Sequence, residues 1–107
     1  MYTPYIILVE DNTKLRKKIK AILKSAYPSL EIGEASGEKE VLNKIKTKQP
    51  EFMIIDISLS SGDGLQLTQK VKKNYPDITI AINTDYDSPE YHAAAMNFGA
   101  DYFLSKK

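Results

Sequence analysis

The sequence predicts an α/β protein: a doubly wound, five-stranded parallel sheet with helices on both faces. Two observations carry this. Five short apolar runs, several nearly continuous in β-branched or aromatic residues, read as strands buried on both faces. Longer amphipathic stretches lie between them, and the two kinds alternate strictly, which implies right-handed crossovers between parallel strands. The short runs are Tyr5–Val9, Leu30–Gly33, Phe52–Ile55, Ile78–Ile82 and Tyr102–Leu104. The second is the most polar and reads as an edge strand.

The first helix is expected over Thr13–Ala26, where Leu15, Ile19, Ile22 and Leu23 recur at helical spacing. Asn12 or Thr13 offers its cap, and Pro28 lies just beyond its end. The second is expected over Gly37–Lys48, on the stripe Val41, Leu42 and Ile45, with Ser36 as cap. The third runs from Leu65 to Asn74, with Leu67 and Val71 on one face and Pro76 after the stop. The fourth runs from Ser88 to Phe98, with Pro89 at the first helical position and Gly99 marking the end. Lys14, Lys17, Lys18, Lys20 and Lys24 of the first helix read as a solvated face.

A chain of 107 residues fits one compact domain, residues 1–107. With 42% apolar residues it can build a core. A formal net charge of +1 argues against a strong electrostatic footprint for nucleic acid or an anionic membrane. The absence of cysteine excludes a disulfide scaffold, a thiolate nucleophile and a Cys-based zinc site. No signal peptide is visible, and no apolar stretch approaches membrane-spanning length, so a cytoplasmic protein with no membrane contact is expected.

In open parallel sheets, ligands bind beyond the carboxyl ends of the strands. Glu10 and Asp11 follow the first strand, Asp56 the third, Thr84 and Asp85 the fourth, and Lys106 the fifth. With strand order 2-1-3-4-5 the acids of the first and third strands converge. Any one strand end can carry an acid by chance; four useful strand ends together are poorly explained that way. Clustered carboxylates repel one another, and a hard divalent cation such as Mg²⁺ (or Mn²⁺) relieves this. A carboxylate beside Mg²⁺ can attack phosphorus and form an acyl phosphate. Mg²⁺ and Lys106 could neutralise the phosphoryl oxygens, and Thr84 could donate a hydrogen bond to the product.

Val9-Glu10-Asp11, Ile54-Ile55-Asp56-Ile57, Gly64 eight residues after Asp56, Thr84 after an apolar strand, and Gly99-Ala100-Asp101 leading to Lys106 occur in order. In these features the chain resembles response-regulator receiver domains over nearly its whole length. The resemblance implies the flavodoxin-like receiver fold and a phosphoryl-accepting switch of two-component signalling, not an enzyme beyond promoting its own phosphorylation and dephosphorylation. By resemblance, Asp56 accepts the phosphoryl group from a sensor histidine kinase. Asp11, Asp56 and the backbone carbonyl of Ser58 hold Mg²⁺, with Glu10 acting mainly through water. Thr84 closes onto the phosphoryl group and Lys106 pairs with it. Phe103 matches the aromatic switch position, though it also reads as a core aromatic. The first-helix lysines lie where the family docks its kinase.

The pattern departs from the family in places. Ser60 stands where Pro is usual, which makes the loop Ser60-Ser61-Gly62 more mobile. Asp85 stands where a small residue is usual; it either narrows access to Asp56 or points to solvent. By resemblance, Ser58 and Tyr86 fall at positions that tune acyl-phosphate hydrolysis; Tyr86 reads equally as an exposed loop tyrosine. Lys107 replaces a Pro, and the family's last helix is missing. An exposed apolar patch and possible homodimer are therefore expected, in a piece cut from a longer protein whose output domain would make any DNA contact. His92, the only histidine, reads as a helix-surface residue. The competing reading is a pseudo-receiver, a protein-binding module that is not phosphorylated. A flavodoxin-like cofactor site is disfavoured by Glu10-Asp11-Asn12 at its phosphate-loop position, and an aspartyl phosphatase by Ser58 where a second acid is needed.

Overall fold

The computed structural model describes residues 3–59, 62–85 and 88–105. The elements are β1 (Tyr5–Val9), α1 (Thr13–Ala26), β2 (Glu31–Ala35), α2 (Glu38–Thr47), β3 (Phe52–Asp56), α3 (Gly64–Asn74), β4 (Thr79–Thr84), α4 (Pro89–Asn97) and β5 (Tyr102–Ser105). The five strands form one sheet in the order β2-β1-β3-β4-β5, with every neighbouring pair parallel. This is the predicted order.

The main core lies on one face. Ile7 and Val9, Met53 and Ile55, and Ile80 and Ile82 alternate along the three central strands. They cluster with Val41 and Ile45 of α2, Leu67 and Val71 of α3 and Ala95 of α4. Each fully buried aliphatic side chain contributes about 1.5–3 kcal/mol, so these central positions dominate stability. The opposite face is less covered: α1 buries no residue completely, Ile22 is 59% exposed, and Tyr102 and Leu104 of β5 are exposed. An apolar slot of about 380 Å³ lies there, lined in part by Ile6, Leu23, Tyr27, Phe52 and Ile54. The expected apolar patch is present on this face.

The helix starts follow capping chemistry. Asn12 caps α1, its side chain accepting from the Leu15 N–H. Ser88 caps α4 by accepting from the Tyr91 N–H, with Pro89 at the start. Ser36 does not cap α2. The cap is Gly37, which makes no side-chain hydrogen bond, while the Ser36 N–H and hydroxyl donate to Glu40. Glu40 takes up the loose end, so the hydroxyl is not needed as a cap.

The amino-terminal edge of the sheet is stitched by acids. The Tyr5 N–H donates to Glu51 at 2.7 Å, and the Ile80 N–H donates to Asp101 at 2.9 Å. Lys72 of α3 reaches the same Asp101 carboxylate at 2.8 Å. Burial pushes the Asp101 carboxyl up, but hydrogen bonds from Lys72 and Ile80 and the lysine charge outweigh it and hold it below its ordinary value. Gly99, with φ of +107°, makes the left-handed turn that ends α4 and delivers Ala100 to the core. The Gly99-Ala100-Asp101 signature is therefore structural, and sits at the end of the sheet opposite Glu10, Asp11 and Asp56.

The lysine face of α1 is only partly solvated. Lys17 and Lys20 each reach Glu34 of β2 at 3.0 Å, and Lys24 donates to the carbonyls of Pro28 and Leu30. Burial pushes the Glu34 carboxyl up, but hydrogen bonds from Lys17, Lys20 and Arg16 and the nearby Lys20 charge hold it at about 2, against an ordinary 4.5. A depressed carboxyl stabilises the fold above its unfolded value and loses that contribution as pH falls through its folded value. Glu34→Gln is expected to lower stability by about 1 kcal/mol near neutrality. Urea unfolding should show the difference from the parent shrinking as pH falls from 4.5 toward about 2. A pH-independent difference would refute the ionic origin.

Candidate functional site

Three acids meet beyond the carboxyl ends of β1 and β3. Val9 is in register with Ile55, so Glu10 and Asp56 follow at the same level on adjacent strands. One carboxylate oxygen from each of Glu10, Asp11 and Asp56 lies within 4.8 Å of the other two. Glu10 and Asp56 are buried and Asp11 is half-buried. Three closely spaced carboxylates in a partly desolvated place are costly without a counter-charge. An all-oxygen, all-anionic donor set fits a hard divalent ion such as Mg²⁺ or Mn²⁺.

The loop carrying the first two acids is held by its own backbone. The Glu10 N–H donates to the Ala35 carbonyl at 3.0 Å, and the Asn12 N–H to the Glu10 carboxylate at 3.2 Å. That carboxylate thus has a structural duty beside any ligand duty.

Asp56 ends β3 and is in register with Asn83, so Thr84 stands one residue further along the neighbouring strand. Thr84 is fully buried, whereas Asp85 is exposed. After β3 the chain folds back in a short antiparallel ribbon, Ser58 opposite Asp63 and Leu59 opposite Gly62. Asp63 then caps α3, and the Gly64 N–H donates to the Ile57 carbonyl at 2.8 Å. In the sequence Gly64 is only a spacing mark, eight residues after Asp56; the structure supplies its reason. A Cβ there would collide with the Asp56 carbonyl oxygen and lie 2.9 Å from Ile57 Cα. The bare glycine lets α3 start against the backbone at the end of β3.

Phe103 is half-buried, packs against the core and stacks on His92 of α4, with ring centroids 4.9 Å apart and planes 9° apart. His92 is on the helix surface as expected, but it covers the aromatic position. Lys106 and Tyr86 lie outside the described residues, as do Ser60 and Ser61.

Residues 6–107 match the response regulator receiver domain family. The chain belongs to that family. A protein-glutamate methylesterase/protein-glutamine glutaminase of Geobacillus kaustophilus is 32% identical over 108 residues, covering 99% of this chain and 31% of that protein. The response regulator protein VraR of Staphylococcus saprophyticus is 25% identical over 101 residues, covering 94% of this chain and 48% of VraR. The DNA-binding transcriptional activator DevR/DosR of Mycobacterium tuberculosis is 28% identical, covering 94% of this chain and 46% of that protein. A CheY-like receiver domain structure from Methanospirillum hungatei superposes with a TM-score of 0.88 at 28% identity, covering 98% of this chain and 82% of that one. This receiver domain thus spans less than half the length of these three curated relatives. Among its described residues no helix is long and apolar enough to cross a membrane.

Proposed function

We propose that this receiver domain is a phosphoryl-accepting switch with Asp56 as the acceptor. A carboxylate oxygen of Asp56 attacks phosphorus in the phosphohistidine of a sensor histidine kinase. The P–O bond forms as the P–N bond breaks, and the imidazole leaves with the electron pair. The observation that carries this reading is the convergence of Glu10, Asp11 and Asp56 within 4.8 Å, beside the hydroxyl-bearing end of β4.

Asp11 and Asp56, with the Ser58 backbone carbonyl, would hold Mg²⁺ or Mn²⁺, and Glu10 would act through water. Such an ion supplies positive charge to the phosphoryl oxygens. Thr84 donates a hydrogen bond to the accepted group, and Lys106 pairs with it. Movement of Thr84 lets Phe103 turn inward, which changes the α4–β5 face. Ser58, Asp85 and Tyr86 tune how fast the acyl phosphate forms and hydrolyses. The domain promotes its own phosphorylation and dephosphorylation rather than turning over a substrate. In the whole protein the apolar face beside α1 and β5 is covered by a further segment or a second copy. DNA is reached only through an output domain outside this chain, in the cytoplasm.

The test is incubation with Mg²⁺ and acetyl phosphate, followed by peptide mapping in a mass spectrometer. The expected result is a phosphoryl adduct on the peptide containing Asp56, whose formation is prevented when a chelator is present from the start. No adduct under any Mg²⁺ concentration would favour the pseudo-receiver. The exposed carboxylate of Asp85 bears on the rate. Its negative charge at the rim should slow a small anionic donor, so Asp85→Ala is expected to label severalfold faster than the parent. Equal or faster labelling of the parent would remove Asp85 from the tuning set.

A further inference from the structure

Arg16 is the one α1 residue that reaches both β2 and the acidic loop through its side chain. Its Nη1 donates to the Glu10 backbone carbonyl at 2.7 Å, and its Nε donates to Glu34 at 3.0 Å. Both side chains are largely buried, 13% exposed for Arg16 and 17% for Glu34. Two diverging donors on one rigid plane are a property of guanidinium; an ammonium is a point donor on a flexible stem and does not fix two acceptors in this way. Glu34 sits on β2 immediately before Ala35, whose carbonyl receives the Glu10 N–H. The end of β2 therefore grips Glu10 twice, once directly and once through Arg16.

We propose that Arg16, anchored by Glu34, is a positioning residue that fixes the Glu10–Asp11 loop in the geometry a divalent cation needs. The inference rests on reading the three acids as a cation site. With Arg16 in place, the Glu10 N–H, carbonyl and carboxylate all have partners, so the peptide leading into Asp11 has little freedom. Without it, the carbonyl loses the Arg16 donor, and the loop samples orientations in which the acids no longer converge. Loss of a group that orients metal ligands typically costs 10- to 100-fold in affinity.

The experiment uses the whole chain, with Mg²⁺ titrated by calorimetry and amide hydrogen exchange followed by NMR in Mg²⁺-free buffer. The variants are Arg16→Lys, which keeps charge and helix propensity, Arg16→Gln and Glu34→Gln. Lys17→Gln serves as control, since Lys17 bonds Glu34 but is 61% exposed. Both Arg16 variants are expected to bind Mg²⁺ about 10- to 100-fold more weakly, and Glu34→Gln to weaken binding less. Lys17→Gln should stay close to the parent. Exchange at the Glu10 and Asn12 amides should quicken roughly tenfold in Arg16→Lys, while Ile7 and Val9 keep parental rates, a local signature that general destabilisation would not give. Parental Mg²⁺ affinity in Arg16→Lys overturns the proposal. If the parent itself takes up no Mg²⁺, the cation-site reading fails. The exchange rates then decide the strut alone: faster exchange upholds it and unchanged exchange overturns it.

Discussion

Asp56→Asn is expected to abolish Mg²⁺-dependent labelling by acetyl phosphate and, in the same protein, to raise stability by about 1 kcal/mol when Mg²⁺ is absent. The first effect follows because an amide oxygen carries no charge with which to attack phosphorus. The second follows from the placement of the three acids within 4.8 Å. Two unit charges about 4 Å apart interact by roughly 4 kcal/mol at an effective dielectric of 20, and neighbouring groups and salt screen most of that. Gathering like charge at a functional site commonly sets stability against activity. Saturating Mg²⁺ should reverse the order, because a ligand that binds only the folded parent stabilises it by mass action. Urea unfolding with and without Mg²⁺ measures both. A variant less stable than the parent in chelator would contradict the electrostatic reading, and residual labelling would move the acceptor elsewhere.

Gly64→Ala is expected to cost about 2–3 kcal/mol and to impair labelling at the same time. The new methyl collides with backbone, namely the Asp56 carbonyl and Ile57 Cα, and backbone cannot swing aside as a side chain can. Overpacking typically costs about 1–3 kcal/mol, and a rigid neighbour places this case at the upper end. The relief available is for α3 to retreat from the end of β3, which displaces Asp56 itself. Gly33 supplies the contrast. A methyl there meets the Tyr5 hydroxyl at 2.6 Å, the far end of one side chain, so Gly33→Ala should cost about 1 kcal/mol or less. Thermal unfolding of the pair, beside their labelling rates, tests the distinction. Equal losses at the two glycines would show that contact with the Asp56–Ile57 backbone is not what matters.

Much of this is legible in the sequence itself. The strands announced themselves because burial on both faces leaves nearly unbroken apolar runs, and the order of elements allowed few topologies. The acids at the ends of β1 and β3 were legible for the same reason: parallel sheets send successive strand ends to one edge. What escaped depended on partners distant in sequence. Nothing local marks Arg16 among the lysines of α1, since its partners are a β2 carboxylate and a loop carbonyl. Lys17 and Lys20 read as solvated for the same reason. Ser36 was a sound cap by type, but Glu40 took its hydroxyl and N–H. The ribbon around Leu59 and Gly62 has too few residues to show a period. The places expected for Lys106 and Tyr86 fall outside the described residues.

The stitching of the sheet's amino-terminal edge has a consequence for how genetic variation in this chain would be interpreted. Glu51, Lys72 and Asp101 tie the starts of β1, β4 and β5 at the end of the sheet opposite Glu10, Asp11 and Asp56. Substitutions there are expected to change the fraction of molecules folded more than the chemistry of each folded molecule. In a cell that fraction sets abundance, through proteolysis of the unfolded population. A screen that measured protein level and signalling output separately would therefore split this small domain lengthwise. Variants at one end would act through dosage, and variants at the other through the competence of each copy.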